Sequence, residues 1–151
     1  MKRRAGFTYV EMLVVLTILG IIARIAAPRL WEVRKRAVSR AAIADVRVAR
    51  DALLSHQTDQ GTFPMEAAAG AVPSGLQKFL PAGFQFTRAE YTLDYEYWPA
   101  AGGAPAMIGV AVDTPDATLA LELRKLGISG LPYLSVGSRT VFVLSGLTGV
   151  S

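Results

Sequence analysis

Cysteine is absent from the 151 residues, and histidine occurs once, at His56. The first absence excludes a disulfide scaffold, a cysteine nucleophile and a thiolate metal site. The second excludes the usual histidine-rich metal centre. No GxSxG elbow, Walker loop, HExxH helix or dinucleotide fingerprint occurs, so the common catalytic motifs are missing too. The acids of the C-terminal two-thirds stand singly or alternate along a presumed strand, and no general acid–base pair stands out. Nor is the chain poor in apolar residues. They make up 52% of it, which argues against disorder. Length and composition allow one folded domain with an appendage.

Charge is unevenly spread. Residues 1–50 hold eleven basic and three acidic residues, a net of +8, and residues 51–151 hold five and nine, a net of −4. A basic end on a weakly acidic body suits an anionic membrane surface or nucleic acid. The adjoining apolar run favours the membrane. Residues 7–23 read FTYVEMLVVLTILGIIA, with Glu11 as the one charge, and continuing to Ala27 adds only Arg24. A bilayer core of roughly 30 Å needs about 20 helical residues, so this stretch just suffices as a span. Its β-branched residues are tolerated because in lipid the backbone must bond to itself. The short basic MKRRAG ahead of it would stay in the cytoplasm and send the body outward. A secretory cleavage site at Ala26–Ala27 is disfavoured by Pro28 immediately after it.

Glu11 is the informative residue. A carboxylate about one turn inside an apolar span is costly without a partner. The nearest bases, Arg3 and Arg4, lie eight and seven residues away, in the leader. A cut after Gly6 would create a cation on Phe7, four residues away or on a neighbouring copy.

K-R-R-A-G-F-T-x-x-E, followed by an apolar run and Pro28, resembles the N-terminus of the type IV pilin and type II secretion pseudopilin superfamily. The resemblance covers about residues 1–30. It implies cleavage between Gly6 and Phe7 by a prepilin peptidase, which also N-methylates the new Phe7 amine. It implies that Glu11 pairs with the Phe7 amine of an adjacent subunit during assembly, and that Pro28 kinks the helix. Implied partners are the peptidase/N-methyltransferase, copies of the chain and other pilin-like subunits, an inner-membrane assembly platform and membrane lipids. Tyr9, where leucine is common, and Arg24 depart from the pattern. A guanidinium there can snorkel to the interface, but in a filament core it needs an acid or a wet niche.

Beyond Pro28 a helical pattern resumes to about Gln57. It has an apolar stripe at Leu30, Val33, Ala37, Ala41, Ala44, Val48 and Ala52, widened by Ile43, Val46 and Leu53 toward its second half. A helix over 7–57 would be roughly 75 Å long, too long for the inside of a small domain. The widening predicts that only the second half packs on a body. Arg34, Lys35, Arg36 and Arg40 fall mostly off the stripe and read as a solvated or membrane-surface face. DNA is an unfavoured partner, since no base-reading element accompanies them. His56 reads as a surface or helix-terminal residue, not a ligand.

Residues 58–64 read as a turn. Ser74 is placed to cap a short helix closed by Pro81. Strands are predicted over 84–88, 92–98 and 106–112, with a turn at Gly102–Gly103 between the last two. Asp113 or Thr114 caps a helix with Pro115 at its first position, and Gly127 stops it. A hairpin joins 133–136 to 139–144 around Gly137–Ser138, and an apolar tail follows from Gly146. Calcium, which the resemblance raises for this end, would draw on Asp113 and Asp116. Helix capping explains both more simply, and no metal or cofactor is expected.

The expected fold is α+β, a long N-terminal helix packed on a small antiparallel sheet. Its parts are a leader (1–6), a membrane and filament-core helix (7–27), an amphipathic spine (28–57) and a periplasmic head (58–151). The expected function is that of a non-catalytic filament subunit of a secretion pseudopilus in the bacterial inner membrane. A type IV pilus subunit for adhesion, motility or DNA uptake is the alternative within the class. A monomeric membrane-anchored binding module is the alternative outside it.

Overall fold

The structure is a computed structural model that describes residues 7–101, 106–128 and 130–146, with side chains as far as Leu144. Gly6 and the rest of the leader, the Gly102–Gly103 turn and residues 147–151 of the tail lie outside the described residues.

Helix α1 spans Tyr9–Gln60, with Pro28 inside it. It ends three residues later than the periodicity suggests. The stop is Gly61, whose φ of +73° lets its amide turn back onto the Gln57 carbonyl at 2.8 Å, a left-handed cap that glycine adopts without strain. Two compact units divide the chain, one ending at Arg34 and the other beginning at Lys35.

In the first unit the apolar side chains are open: Phe7, Val10, Leu16, Ile18 and Ile25 are all more than half exposed. The helix here is long and apolar enough to cross a membrane.

In the second unit, α1 buries Ser39, Ala42, Ile43, Val46, Ala49, Ala52, Leu53 and His56. These recur at three- and four-residue spacing and form the core-facing stripe. The stripe drawn from the sequence is displaced from it. Ala37, Ala41 and Ala44 are exposed, and the residues taken as a widening are the true seam. Larger side chains on the seam, Ile43, Val46 and Leu53, fill more of the space against the sheet than alanine can.

That sheet has four antiparallel strands: β1 (Thr92–Trp98), β2 (Met107–Asp113), β3 (Tyr133–Val136) and β4 (Arg139–Gly146), in the order β1-β2-β4-β3. Strand alternation sends Leu93, Tyr95, Val110, Val112 and Phe142 into one core with Val46, Ala49 and Leu53 of α1. The register shifts between Ile108 and Gly109. A Cβ on Gly109 would lie 3.1 Å from the Phe142 carbonyl, the Trp98 ring and Val141, so any side chain there would crowd all three. Val136 pairs with Arg139, leaving a two-residue turn whose first position, Gly137, has φ +58°, as type II′ requires.

Three local expectations fail. Residues 84–88 form no strand. Thr87 makes an isolated bridge with Thr92, and the Phe84 amide closes a turn onto the Pro81 carbonyl. Their alternating phenylalanines meet each other edge to face at 6.1 Å instead. Ser74 caps nothing, because Gly75, at φ +84°, turns the chain before a single 3₁₀ turn at Gln77–Phe79, which has no side-chain cap. Helix α2 (Ala117–Leu126) is capped by Asp116, whose carboxylate accepts from the Thr118 amide at 2.8 Å. Asp113 and Thr114 do not cap it, and Pro115 lies ahead of the helix. Gly127 does close it, its amide donating to the Leu123 carbonyl.

Candidate functional site at the N-terminal helix

The polar groups of the second unit are largely turned on one another. Asp45, on α1, accepts from the Tyr91 hydroxyl at 2.7 Å and from Arg88 Nε at 3.1 Å. Burial, and then the hydrogen bond to Asp45, push the Tyr91 hydroxyl well above its usual range. Arg139 reaches across the sheet to Asp94 at 2.8 Å, and also contacts Glu96 and Asp113. This explains why Asp113 is unavailable as a helix cap. Burial first, and the Asp94 charge second, raise its carboxyl above the ordinary aspartate value. Lys35 contacts the Thr118 hydroxyl and lies 3.5 Å from Asp116. Contrary to the sequence reading, His56 is buried. Its Nδ1 donates to the Thr62 carbonyl at 2.9 Å and its ring meets Phe79 edge to face. Among the described residues no group of three or more His, Asp or Glu side chains is placed to hold a metal ion.

At the start of α1 the arrangement differs. Thr8 precedes the first helical residue and Glu11 is the third residue of the helix. Glu11 Oε2 accepts from both the Thr8 amide and the Thr8 hydroxyl at 2.8 Å, and the Glu11 amide donates back to Thr8 Oγ1 at 3.3 Å. This is a capping box, which satisfies two amides that a helix start otherwise leaves bare. The sequence carries its signature, T-x-x-E ahead of an apolar run, and the search for a charged partner overlooked it. Thr8 is thus the residue missed at this site. Its donors are neutral, so the carboxylate charge stays uncompensated, and Oε1 takes no hydrogen bond from a described residue. Phe7 stands beside it, 77% exposed. Pro28 is 17 residues further along and takes no part in this cluster.

The prokaryotic N-terminal methylation motif matches residues 1–26. Type II secretion system core protein G of Aeromonas hydrophila is 33% identical over 63 residues, 42% of this chain and 44% of that protein. The core protein G of Klebsiella pneumoniae is 31% identical over 82 residues, 54% of each. The chain is thus similar to these pseudopilins over about half its length and carries the methylation motif at its start. It spans about half the length of the curated relatives it matches. No solved structure matches it. The motif match ends before Pro28 and before the body. Its weight therefore falls on the residues around Glu11.

Proposed function

We propose that the protein is a structural subunit of a type II secretion pseudopilus. The observation that carries this reading is the methylation motif over residues 1–26, joined to an apolar helix whose side chains are left open. The part-length likeness to core protein G supports the secretion system over other pilin-like machines.

In this reading prepilin peptidase removes residues 1–6 between Gly6 and Phe7 and methylates the Phe7 amine. Loss of Lys2, Arg3 and Arg4 takes the side-chain net from +4 to +1. The helix holds the subunit in the inner membrane with its body in the periplasm, beside lipids and an assembly platform. Polymerisation then buries these helices against one another. Helix packing in an apolar medium fixes register weakly, since lipid tails are as apolar as leucine. A single charge pair in low dielectric fixes it strongly. Glu11, held in orientation by Thr8, is that carboxylate, and the Phe7 amine of another copy is its cation. Pro28 leaves the Arg24 carbonyl without its helical donor and clashes with it, so the helix bends there on assembly.

Intact mass of the membrane-extracted protein tests the reading. Loss of residues 1–6 together with the gain of one methyl group is the expected result; a full-length, unmethylated chain overturns it. A bulky residue at Gly6 should block both changes.

A further inference from the structure

Arg24 is the charge that the proposed assembly leaves unexplained. It is exposed on α1 inside the apolar stretch, and no acid lies within four residues of it on either side. Residues 24–40 hold six bases, Arg24, Arg29, Arg34, Lys35, Arg36 and Arg40, against one acid, Glu32. Identical helices brought together here would repel one another unless Glu32 met a base of the neighbour. We propose that Arg24 of one copy pairs with Glu32 of the next, forming a second intermolecular charge pair that sets the same stagger as Glu11 with the Phe7 amine. This rests on the pseudopilus reading above.

The order of the charges supports it. Copies anchored in one membrane run parallel. Placing the Phe7 amine of one copy level with Glu11 of another shifts it outward by four residues, about 6 Å. Placing its Arg24 level with Glu32 shifts it outward by eight residues, about 12 Å. Both pairs therefore join the same two copies and demand displacement in the same direction. A stagger of about 9 Å lies midway, and the long Arg24 and Glu32 side chains take up the remainder. On a helix continuous through Pro28, Glu11 and Glu32 lie about 60° apart round the axis and Phe7 and Arg24 about 100°, so the bend at Pro28 helps bring both pairs onto one neighbour. Arg29 would also come near Glu32 at that stagger. It has Glu32 three residues away on its own helix, however, and lies beyond the span, where water can solvate it. Arg24 has neither, so a partner from another copy gains most there.

The test is charge exchange in the full-length chain, expressed with its own assembly machinery, reading the assembled fraction. Arg24→Glu and Glu32→Arg are each expected to lower it by about tenfold or more, and the double exchange to restore it to within about threefold of wild type. A double exchange no better than the single ones overturns the pair. So does normal assembly of Arg24→Ala. If Arg24 instead serves a lipid phosphate, Glu32→Arg assembles normally and rescues nothing, which also overturns it. The absence of cysteine gives a second readout. Co-expressed Arg24→Cys and Glu32→Cys chains should cross-link to each other, and each variant alone should not; equal cross-linking in all three cultures contradicts the pairing. Wild type runs beside them with its intact mass. If it stays uncut and unassembled, the pseudopilus reading falls and this proposal with it. If it matures and assembles while the exchange fails, only this proposal falls.

Discussion

Residues 7–34 and the body that begins at Lys35 solve opposite problems with the same polypeptide. In the body, α1 hides Val46, Ala49 and Leu53 against the sheet, and charged groups such as Arg139 and Asp45 find partners on neighbouring elements. In the first unit Leu16, Ile18 and Ile22 are left open, and among the described residues Glu11 has only neutral donors. An apolar surface of that extent marks a place for lipid or another protein. The body buries its apolar seam within one molecule, while the helix ahead of it leaves its apolar side chains open. Substitutions in the two should therefore fail in different assays.

The sharpest break is at Glu11. Glu11→Gln should leave cleavage and methylation intact while reducing filament formation at least tenfold, and the thermal unfolding of the body should not move. A body destabilised by that change would contradict the separation. The mirror experiment is Leu53→Ala. It removes a fully buried side chain and should cost the body about 2–5 kcal/mol with cleavage and methylation, read by intact mass, unaffected.

Next in size is Arg139→Met. Asp94 is nearly buried and Arg139 about two-thirds so, and removing the cation leaves three carboxylates facing one another. The expected loss is about 3 kcal/mol. The loss should also depend on pH. Without Arg139 the Asp113 carboxyl, which burial and the Asp94 charge already raise, rises further. Groups raised by folding favour the native state at low pH and lose that contribution as pH climbs through their folded values. The variant's deficit should then be largest near neutrality and shrink on acidification. A deficit that grows in acid would mean the cluster acts otherwise.

How much of this was legible in the sequence depended on whether the signal was local. Strand β1 was readable to the residue, because Leu93, Tyr95 and Tyr97 alternate with Asp94 and Glu96. The β3–β4 hairpin was readable because Gly137 can take a positive φ. The seam of α1 was not. Alanines recur on two of its faces, and only the sheet decides that Ala42, Ala49 and Ala52 lie inside while Ala37, Ala41 and Ala44 do not. The cap of α2 was misread for a similar reason, since Arg139, 26 residues away in sequence, claims Asp113. Phe84 and Phe86 looked like one face of a strand, but a strand needs a neighbour and only Thr87 bridges to one. At the N-terminus the pattern F-T-x-x-E held the geometry in full, since a capping box is local by construction.

The smallest effect separates geometry from charge at the start of α2. The Thr118 hydroxyl, and then its amide, hold the Asp116 carboxyl below the ordinary value of 3.8. A carboxyl lowered by folding stabilises the native state above its unfolded value, and that contribution fades as pH falls through the lower folded one. Asp116→Ala should therefore cost about 1 kcal/mol at neutral pH and less, though not nothing, once wild type is protonated, since the neutral carboxyl can still accept from the Thr118 amide. Asp116→Asn keeps an oxygen able to accept from the Thr118 amide but carries no charge, and it gives up the weak, partly exposed pair with Lys35. Chemical unfolding of the detergent-solubilised chain across the acid range should place Asp116→Asn within a few tenths of a kcal/mol of wild type at neutral pH. Its stability should also lack wild type's extra fall in acid. If Asp116→Asn behaves instead like Asp116→Ala at neutral pH, the pair with Lys35, and not the cap, ties α2 to the spine.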